Sequence, residues 1–276
     1  MNPSKTILIT GCSSGIGYVT AVELRKRGHN VIASARKPED VARLSQEGFT
    51  AVQLDLADSD SIRQAVRQIV ALTDGRIDAL FNNGAFGQPG AVEDLSRDVL
   101  RFQFETNFFG THELTNLLIP IMRQQGHGRI IYNSSVLGFV AMTYRGAYNA
   151  SKFALEGLAD TLRLELHGSN IHVSLIEPGP IVSNFRKNAL ELYKKNIDSA
   201  HSVYKEVYKN MEERLQKEGP AAPFTLPAEA VAEKVIHALE AKRPKLRYYV
   251  TFPTYLFGFL KRILPMSWMD GLLRKA

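Results

Sequence analysis

Tyr148 and Lys152 stand four residues apart in a run with helical patterning, AYNASKFALEGL, so their side chains share one helix face. A phenol titrates near ~10, too high for ready proton exchange at neutral pH. An ammonium beside it favours the phenolate and lowers that value. Such a pair is suited to protonating an oxygen that gains charge, as when hydride reaches a carbonyl carbon. Ser135, thirteen residues upstream, closes a strand-like run and can donate a hydrogen bond to the same oxygen. Asn107, in an earlier helical segment, can hold a water beside Lys152 and extend the proton path. Each residue alone has an ordinary explanation: a core aromatic, a surface lysine, a strand cap, a polar helix residue. On one nucleotide-binding frame they point jointly to catalysis.

That frame is signalled at the N-terminus. Thr10-Gly11-Cys12-Ser13-Ser14-Gly15-Ile16-Gly17 joins the apolar run at 6–10 to a helical pattern at 16–27. Gly11 permits a tight turn, Gly15 lets backbone approach a pyrophosphate, and Gly17 lets helix and strand touch. The helix N-terminus then offers free N–H groups and partial positive charge to phosphates. A glycine pattern alone is weak, but between strand and helix it marks a dinucleotide site. Cofactor contacts are therefore expected from Gly11, Ser13, Ser14, Gly15, Ile16 and Gly17, with Cys12 a small filler.

The second strand-like run ends Ser34-Ala35-Arg36-Lys37, with no carboxylate for a ribose 2′-hydroxyl. Arg36 suits a 2′-phosphate instead, so NADP(H) is expected over NAD(H). Asp55 and Leu56 follow the third strand, where an adenine ring would lie. Asn82, Asn83 and Gly84 follow the fourth, where small residues let the backbone line the cofactor.

Positioning these residues requires strand–helix alternation. Strand-like runs fall at 6–10, 31–35, 50–54, 79–82, 129–134, 172–176 and 247–251, and helical patterns at 16–27, 59–72, 99–124 and 147–166. The strands are short and apolar throughout, as strands buried on both faces are. The pattern predicts an α/β, doubly wound Rossmann fold with a seven-stranded parallel sheet, as one domain spanning 1–276. A charged, Tyr-rich segment at about 183–227 breaks the rhythm at the ligand-binding edge and reads as a helical substrate lid. Phe86, Leu137, Phe139, Met142 and Phe185 are candidate apolar pocket walls, with ordinary packing the equal alternative.

Of the 276 residues, 45% are hydrophobic and 22% charged, which fits a soluble globular chain. A single cysteine rules out a disulfide framework and points to the reducing cytoplasm. No signal peptide is read, and no apolar run reaches the ~18 residues of a spanning helix. From Lys242 to Ala276 eight Lys and Arg face Asp270 alone, so the net charge of +6 belongs to the C-terminal end. Residues about 253–276 form an amphipathic tail that could lie on an anionic membrane, or dock on the body or a second subunit. Charge confined to the tail, with no recognition motif, argues against nucleic-acid binding. Seven scattered histidines show no metal-ligand spacing.

Taken in order, TGCSSGIG at 10–17, Asp55, the Asn82 segment, Asn107, Ser135, Tyr148-x-x-x-Lys152 and Pro178-Gly179 resemble the motifs of the classical short-chain dehydrogenases/reductases. The resemblance covers about residues 5–251. The Tyr148–Gly157 run is similar to the branch of 17β-hydroxysteroid dehydrogenase type 1 and the retinol dehydrogenases. The whole chain resembles bacterial NADP-dependent aldehyde reductases of that branch. The resemblance implies that Asn107, Ser135, Tyr148 and Lys152 form a catalytic tetrad. It also implies that Pro178, Gly179, Ile181 and Ser183 belong to the loop holding the nicotinamide, and that the chain forms a dimer or tetramer through two long helices. The expected activity is reduction of an apolar aldehyde or ketone, or oxidation of the alcohol. A hydroxysteroid or retinol dehydrogenase is the enzymatic alternative, and an NADP(H)-sensing protein without turnover the non-enzymatic one. Two departures stand out: Asn82-Asn83-Gly84-Ala85 replaces the usual Asn-Asn-Ala-Gly, and Ser183 stands where threonine is usual.

Overall fold

The computed structural model describes residues 3–274 apart from 218 and 221. Its first half alternates β1 (Thr6–Ile9), α1 (Gly15–Lys26), β2 (Asn30–Ala35), α2 (Pro38–Gln46), β3 (Thr50–Gln53), α3 (Ser59–Leu72) and β4 (Ala79–Asn82). Then come α4 (Arg97–Phe104), α5 (Gly110–Gln124), β5 (Gly128–Asn133), α6 (Gly146–Glu165) and β6 (Ile171–Glu177). The remainder holds α7 (Phe185–Asn196), α8 (Lys205–Gln216), α9 (Glu229–Glu240), β7 (Arg247–Tyr249), α10 (Phe252–Ile263) and α11 (Met266–Leu273).

The seven strands form one sheet in the order β3-β2-β1-β4-β5-β6-β7, and every neighbouring pair is parallel. Alternate side chains explain why the strands are apolar throughout. Leu8 enters the layer formed with α3, α5 and α6, beside Ile62, Leu114 and Leu155. Ile7 and Ile9 enter the opposite layer with α1, α2 and α9, beside Leu24, Leu44 and Val235. In β5, Ile130 and Tyr132 join the first layer and Ile131 the second. Period-two geometry thus buries both faces. The strand order reverses at β1, which lies between β2 and β4, so a crevice opens at the carboxyl ends of those strands.

Local signals start several helices. The Asp58 carboxylate accepts from the N–H groups of Asp60 and Ser61 ahead of α3. Pro38 opens α2, where its missing N–H is harmless. The single helix expected at 99–124 is instead α4 and α5 joined by a π turn at Glu105–Phe109. The wide turn carries Asn107 inward, where it is 1% exposed and its amide is satisfied by distant backbone. Neither α2 nor α9 stood out as a helix in the sequence, although both pack on the same face of the sheet as α1.

The segment expected to be a lid contains α7 and α8. Tyr193, Ile197 and Tyr208 pack with Ala91 in a small separate core. The Tyr208 hydroxyl donates to Asp94 and accepts from the Ala91 N–H. Both ends of the segment are pinned together: Val182 N–H donates to Leu226 O (2.9 Å) and Leu226 N–H to Pro180 O (3.1 Å).

Candidate active site

The glycine loop leaves β1 and enters α1 at the crevice. Gly11 has φ +71°, a left-handed conformation that disfavours a side chain. A Cβ on Gly17 would overlap the Gly11 carbonyl oxygen and lie 2.6 Å from Asn83 Nδ2. No side chain caps α1 at Ser14, and its first turn holds no acid. The first N–H groups of that helix therefore present donors and positive potential to an anion, which fits a dinucleotide pyrophosphate.

The segment after β4 braces this loop. Asn83 Nδ2 donates to Thr10 O (2.9 Å) and Gly11 O (3.2 Å). Thr10 Oγ1 accepts from the N–H groups of Asn83 and Gly84. Asn133 Nδ2 donates to Asn83 Oδ1 (3.0 Å). Asn83, expected to contact cofactor, thus spends its amide on the protein. Asn82 donates to Thr115 Oγ1 (3.0 Å), and its buried Oδ1 has no protein partner. Leu56 also differs from expectation, because its side chain is buried in the core beneath α3 and α5. Asp55 is half-buried and accepts from Ala57 N–H (2.9 Å).

Arg36 is exposed beyond the end of β2, next to Lys37. A second guanidinium escaped the sequence reading: Arg43 of α2 donates to Ser13 O (2.7 Å). It ties α2 to the glycine loop. Nothing local flags Arg43, since its partner is thirty residues away.

Ser135, Tyr148 and Lys152 come together beyond the end of β5. Ser135 caps a short 3-10 turn, accepting from Leu137 N–H (3.1 Å), and its hydroxyl donates to Pro178 O (3.5 Å), beside the Tyr148 phenol. Lys152 is 3% exposed and donates to Asn133 O at 2.6 Å. Its ammonium lies 5.7 Å from the Tyr148 ring centre. The expected lowering of the phenol is not found. Burial pushes Tyr148 up to about 12, with the Ser135 hydrogen bond and the Arg145 charge opposing the rise. Burial likewise draws Lys152 down to about 8, while the Glu156 carboxylate opposes. Desolvation penalises the charged form of each and is the largest cause of both shifts.

Asn107 is close by but turned away. Its Oδ1 accepts from Phe86 N–H (3.1 Å), and its Nδ2 donates to Phe86 O (2.9 Å) and Ser151 Oγ (3.2 Å). The side-chain amide is thus engaged by Phe86 and by Ser151, the neighbour of Lys152 in α6. Behind Lys152, one turn along α6, Glu156 shares Arg247 with the fully buried Glu177. Arg247 also reaches Asp160 at 2.6 Å. This network connects β7 to the helix that carries Tyr148 and Lys152.

The loop after β6 borders the site. Pro178 O accepts from Val136 N–H (2.9 Å), next to Ser135. Ile181 bridges to Leu226, and Gly179 lies against Thr251. Ser183 Oγ accepts from Phe185 N–H (3.4 Å) and so steers the start of α7. A Cβ on Gly15 would sit 3.2 Å from Ser183, so the two phosphate-side loops nearly touch. Phe185 itself stacks edge-on to Tyr148, ring centres 5.3 Å apart. Leu137, Phe139 and Met142 gather with Tyr148 in one apolar cluster. Phe86 instead pairs with Phe102 at 5.1 Å.

Comparison with known proteins agrees with this geometry. The short chain dehydrogenase family model matches residues 5–194. This chain belongs to the short-chain dehydrogenase/reductase family. It is 44% identical over 270 residues to an uncharacterized oxidoreductase, YbbO, of Escherichia coli, covering 98% of this chain and 94% of that one. It is 33% identical over 262 residues to human 17-beta-hydroxysteroid dehydrogenase type 1, covering 89% and 77%. Among solved structures, a short-chain dehydrogenase from Streptomyces avermitilis superposes with a TM-score of 0.76 at 26% identity, covering 94% and 93%. The chain is thus a short-chain oxidoreductase with a Rossmann fold, of a family that binds nicotinamide dinucleotides and includes steroid and retinol dehydrogenases.

Proposed function

We propose that this short-chain dehydrogenase is an NADP(H)-dependent reductase of apolar aldehydes or ketones. The observation that carries the reading is the Ser135–Tyr148–Lys152 grouping, buried beside apolar side chains at the mouth of the glycine-loop crevice. NADP(H) would be held by the glycine loop from Gly11 to Gly17, with Arg36 at the 2′-phosphate and the loop from Pro178 to Ser183 beside the nicotinamide. That group supplies the hydride when bound. Ser135 would orient the carbonyl oxygen by donating a hydrogen bond. Tyr148 would give its phenolic proton to that oxygen as charge develops there. Lys152, near its half-charged point at about pH 8, would stabilise the phenolate left behind. Because the Asn107 amide is engaged, any relay through this residue would use its backbone carbonyl. Phe185 would cover the reacting atoms and exclude water.

Preference for NADP(H) is supported by Arg36 and Lys37 in place of a carboxylate at the end of β2. A steroid or retinoid substrate is the second reading, favoured by the similarity to 17-beta-hydroxysteroid dehydrogenase type 1. A homo-oligomer through the two long helical stretches, α4–α5 and α6, is supported by the exposed Leu100 and Phe102 of α4 and Leu164 of α6. Initial rates with NADPH and NADH, across aliphatic, aromatic, steroid and retinoid carbonyls, test the reading. NADPH-dependent turnover of simple apolar aldehydes that vanishes in Tyr148→Phe is the expected outcome. Activity confined to steroids or retinoids would move the assignment to the second reading. Cofactor binding without any turnover would replace it by a sensing role.

A further inference from the structure

The tail helices have two apolar faces, and only one is used. Phe257, Leu260, Leu264, Met269 and Leu273 dock on the body, in the cluster that holds Leu137, Val140 and Tyr148. The Lys261 ammonium ties the same helix to Phe139 O. On the other side, Phe252, Leu256, Phe259 and Ile263 recur at helical spacing and face solvent. Phe259 is 61%, Ile263 57%, Met266 73% and Trp268 67% exposed. So many exposed apolar and aromatic side chains on two successive short helices mark an interaction surface. No helix among the described residues is long and apolar enough to cross a membrane, so this face can lie on a surface but not span one.

A separate feature adjoins it. Tyr255 and Arg262 of α10 form one side of a cavity of about 470 Å3, whose other walls include Glu233, Lys234, His237, Lys245 and Arg247. Arg247 is neutralised by Glu156, Glu177 and Asp160. Among the described residues, Lys234, Lys245 and Arg262 have no carboxylate within 4.0 Å. Three cations outside any ion pair, Lys234, Lys245 and Arg262, therefore outnumber the single carboxylate Glu233 in a concave site at the edge of an exposed apolar stripe.

We propose that α10 and α11 bind the protein to an anionic phospholipid bilayer. Phe259, Ile263, Met266 and Trp268 enter the boundary between headgroups and acyl chains, and the Lys234–Lys245–Arg262 cavity receives a lipid phosphate. The charge selects this occupant over a second copy of the chain. A two-fold contact through this face would bring like cations together, whereas anionic lipid neutralises them. The inference goes beyond the reductase reading and does not depend on it, because binding to vesicles requires no turnover.

The test is cosedimentation of the full chain with sucrose-loaded vesicles of phosphatidylcholine, with or without phosphatidylglycerol. Trp268 is the single tryptophan, so its fluorescence reports this face alone. Binding only to the phosphatidylglycerol vesicles, weakened by salt and accompanied by a blue shift of Trp268, is expected. Arg262→Glu should lower the partition about tenfold. Phe259→Ser with Met266→Ser should abolish it while the thermal melt stays that of the wild type. Absence of binding to either vesicle overturns the proposal, as does binding that both variants retain. A wild-type dimer that these variants convert to monomer, without vesicle binding, assigns the face to a second copy instead. Protection of the protein by inorganic phosphate with no vesicle binding assigns the cavity to a free anion and also overturns it.

Discussion

The cofactor side and the substrate side of the crevice are built in opposite ways. On the cofactor side, backbone forms the surface: the Thr10 hydroxyl and the Asn83 amide are spent on neighbouring main-chain groups to hold the glycine loop, leaving no room at Gly17 for a methyl. On the substrate side, side chains from distant segments meet. Phe185 of α7 covers Tyr148, and residues of α10 and α11 close the same cluster. Backbone geometry suits a ligand portion that never changes, the dinucleotide. Side chains on an insertion and a tail can be exchanged without disturbing the sheet, which suits substrates that differ between relatives.

The comparison breaks if damage on the two sides has the same signature. The largest effect should come where the sides meet. Tyr148→Phe removes the proton donor and should lower kcat by about a thousandfold, with NADPH affinity by fluorescence titration changing far less. Lys152→Met should also abolish turnover but raise thermal stability. Its pKa is depressed by burial to about 8, so holding it charged at neutral pH costs on the order of 3 kcal/mol. The unfolded chain binds that proton more tightly. The gain of the variant over wild type is therefore full below pH 8 and fades as the pH rises towards 10.5, which melts across that range will show. Equal melting temperatures at pH 7 would mean that the Asn133 hydrogen bond offsets the desolvation.

Next in size is the cofactor side itself. Gly17→Val should weaken NADPH binding by about a hundredfold or more for every substrate alike, because the side chain must displace Gly11 or Asn83. Arg36→Glu should be milder, cutting kcat/KM with NADPH about tenfold to a hundredfold while that with NADH rises. An unchanged ratio of the two would assign the 2′-phosphate to another cation, Arg43 first. The smallest effect belongs to the substrate side. Phe185→Ala should raise KM for bulky apolar carbonyls by about tenfold, leave NADPH affinity alone, and change kcat little. A loss of NADPH affinity as large as that of Gly17→Val would erase the distinction between the sides.

Legibility followed the same division. Strand–helix alternation, the glycine loop and the Tyr148–Lys152 spacing are local patterns, and the sheet carries them as read. The single helix expected over 99–124 failed because a π turn adds a residue without altering the apolar pattern, and only Phe86 reveals why Asn107 turns inward. Asn83 and Leu56 lie where a cofactor contact was expected, yet their side chains serve the protein. Asn83 braces the adjacent glycine loop and Leu56 packs into the core, and composition does not distinguish a brace or a core residue from a ligand contact.

The sequence by itself determined the doubly wound sheet, the glycine loop between β1 and α1, and the spacing that makes Tyr148 and Lys152 candidates for acid–base work. These depend on periodicity and on spacings of a few residues. Tertiary structure alone decided that Phe185 covers Tyr148, that Arg145 flanks it, and that Arg247 joins Glu156 to Glu177. It also decided that one face of the tail closes the substrate cluster while the other meets solvent. Those partners lie tens of residues apart, and folding brings them together through packing of whole elements. The ionisation of Tyr148 and Lys152 belongs with them: their spacing set the pair, but the exclusion of water around the phenol and the ammonium disfavours the charged form of each.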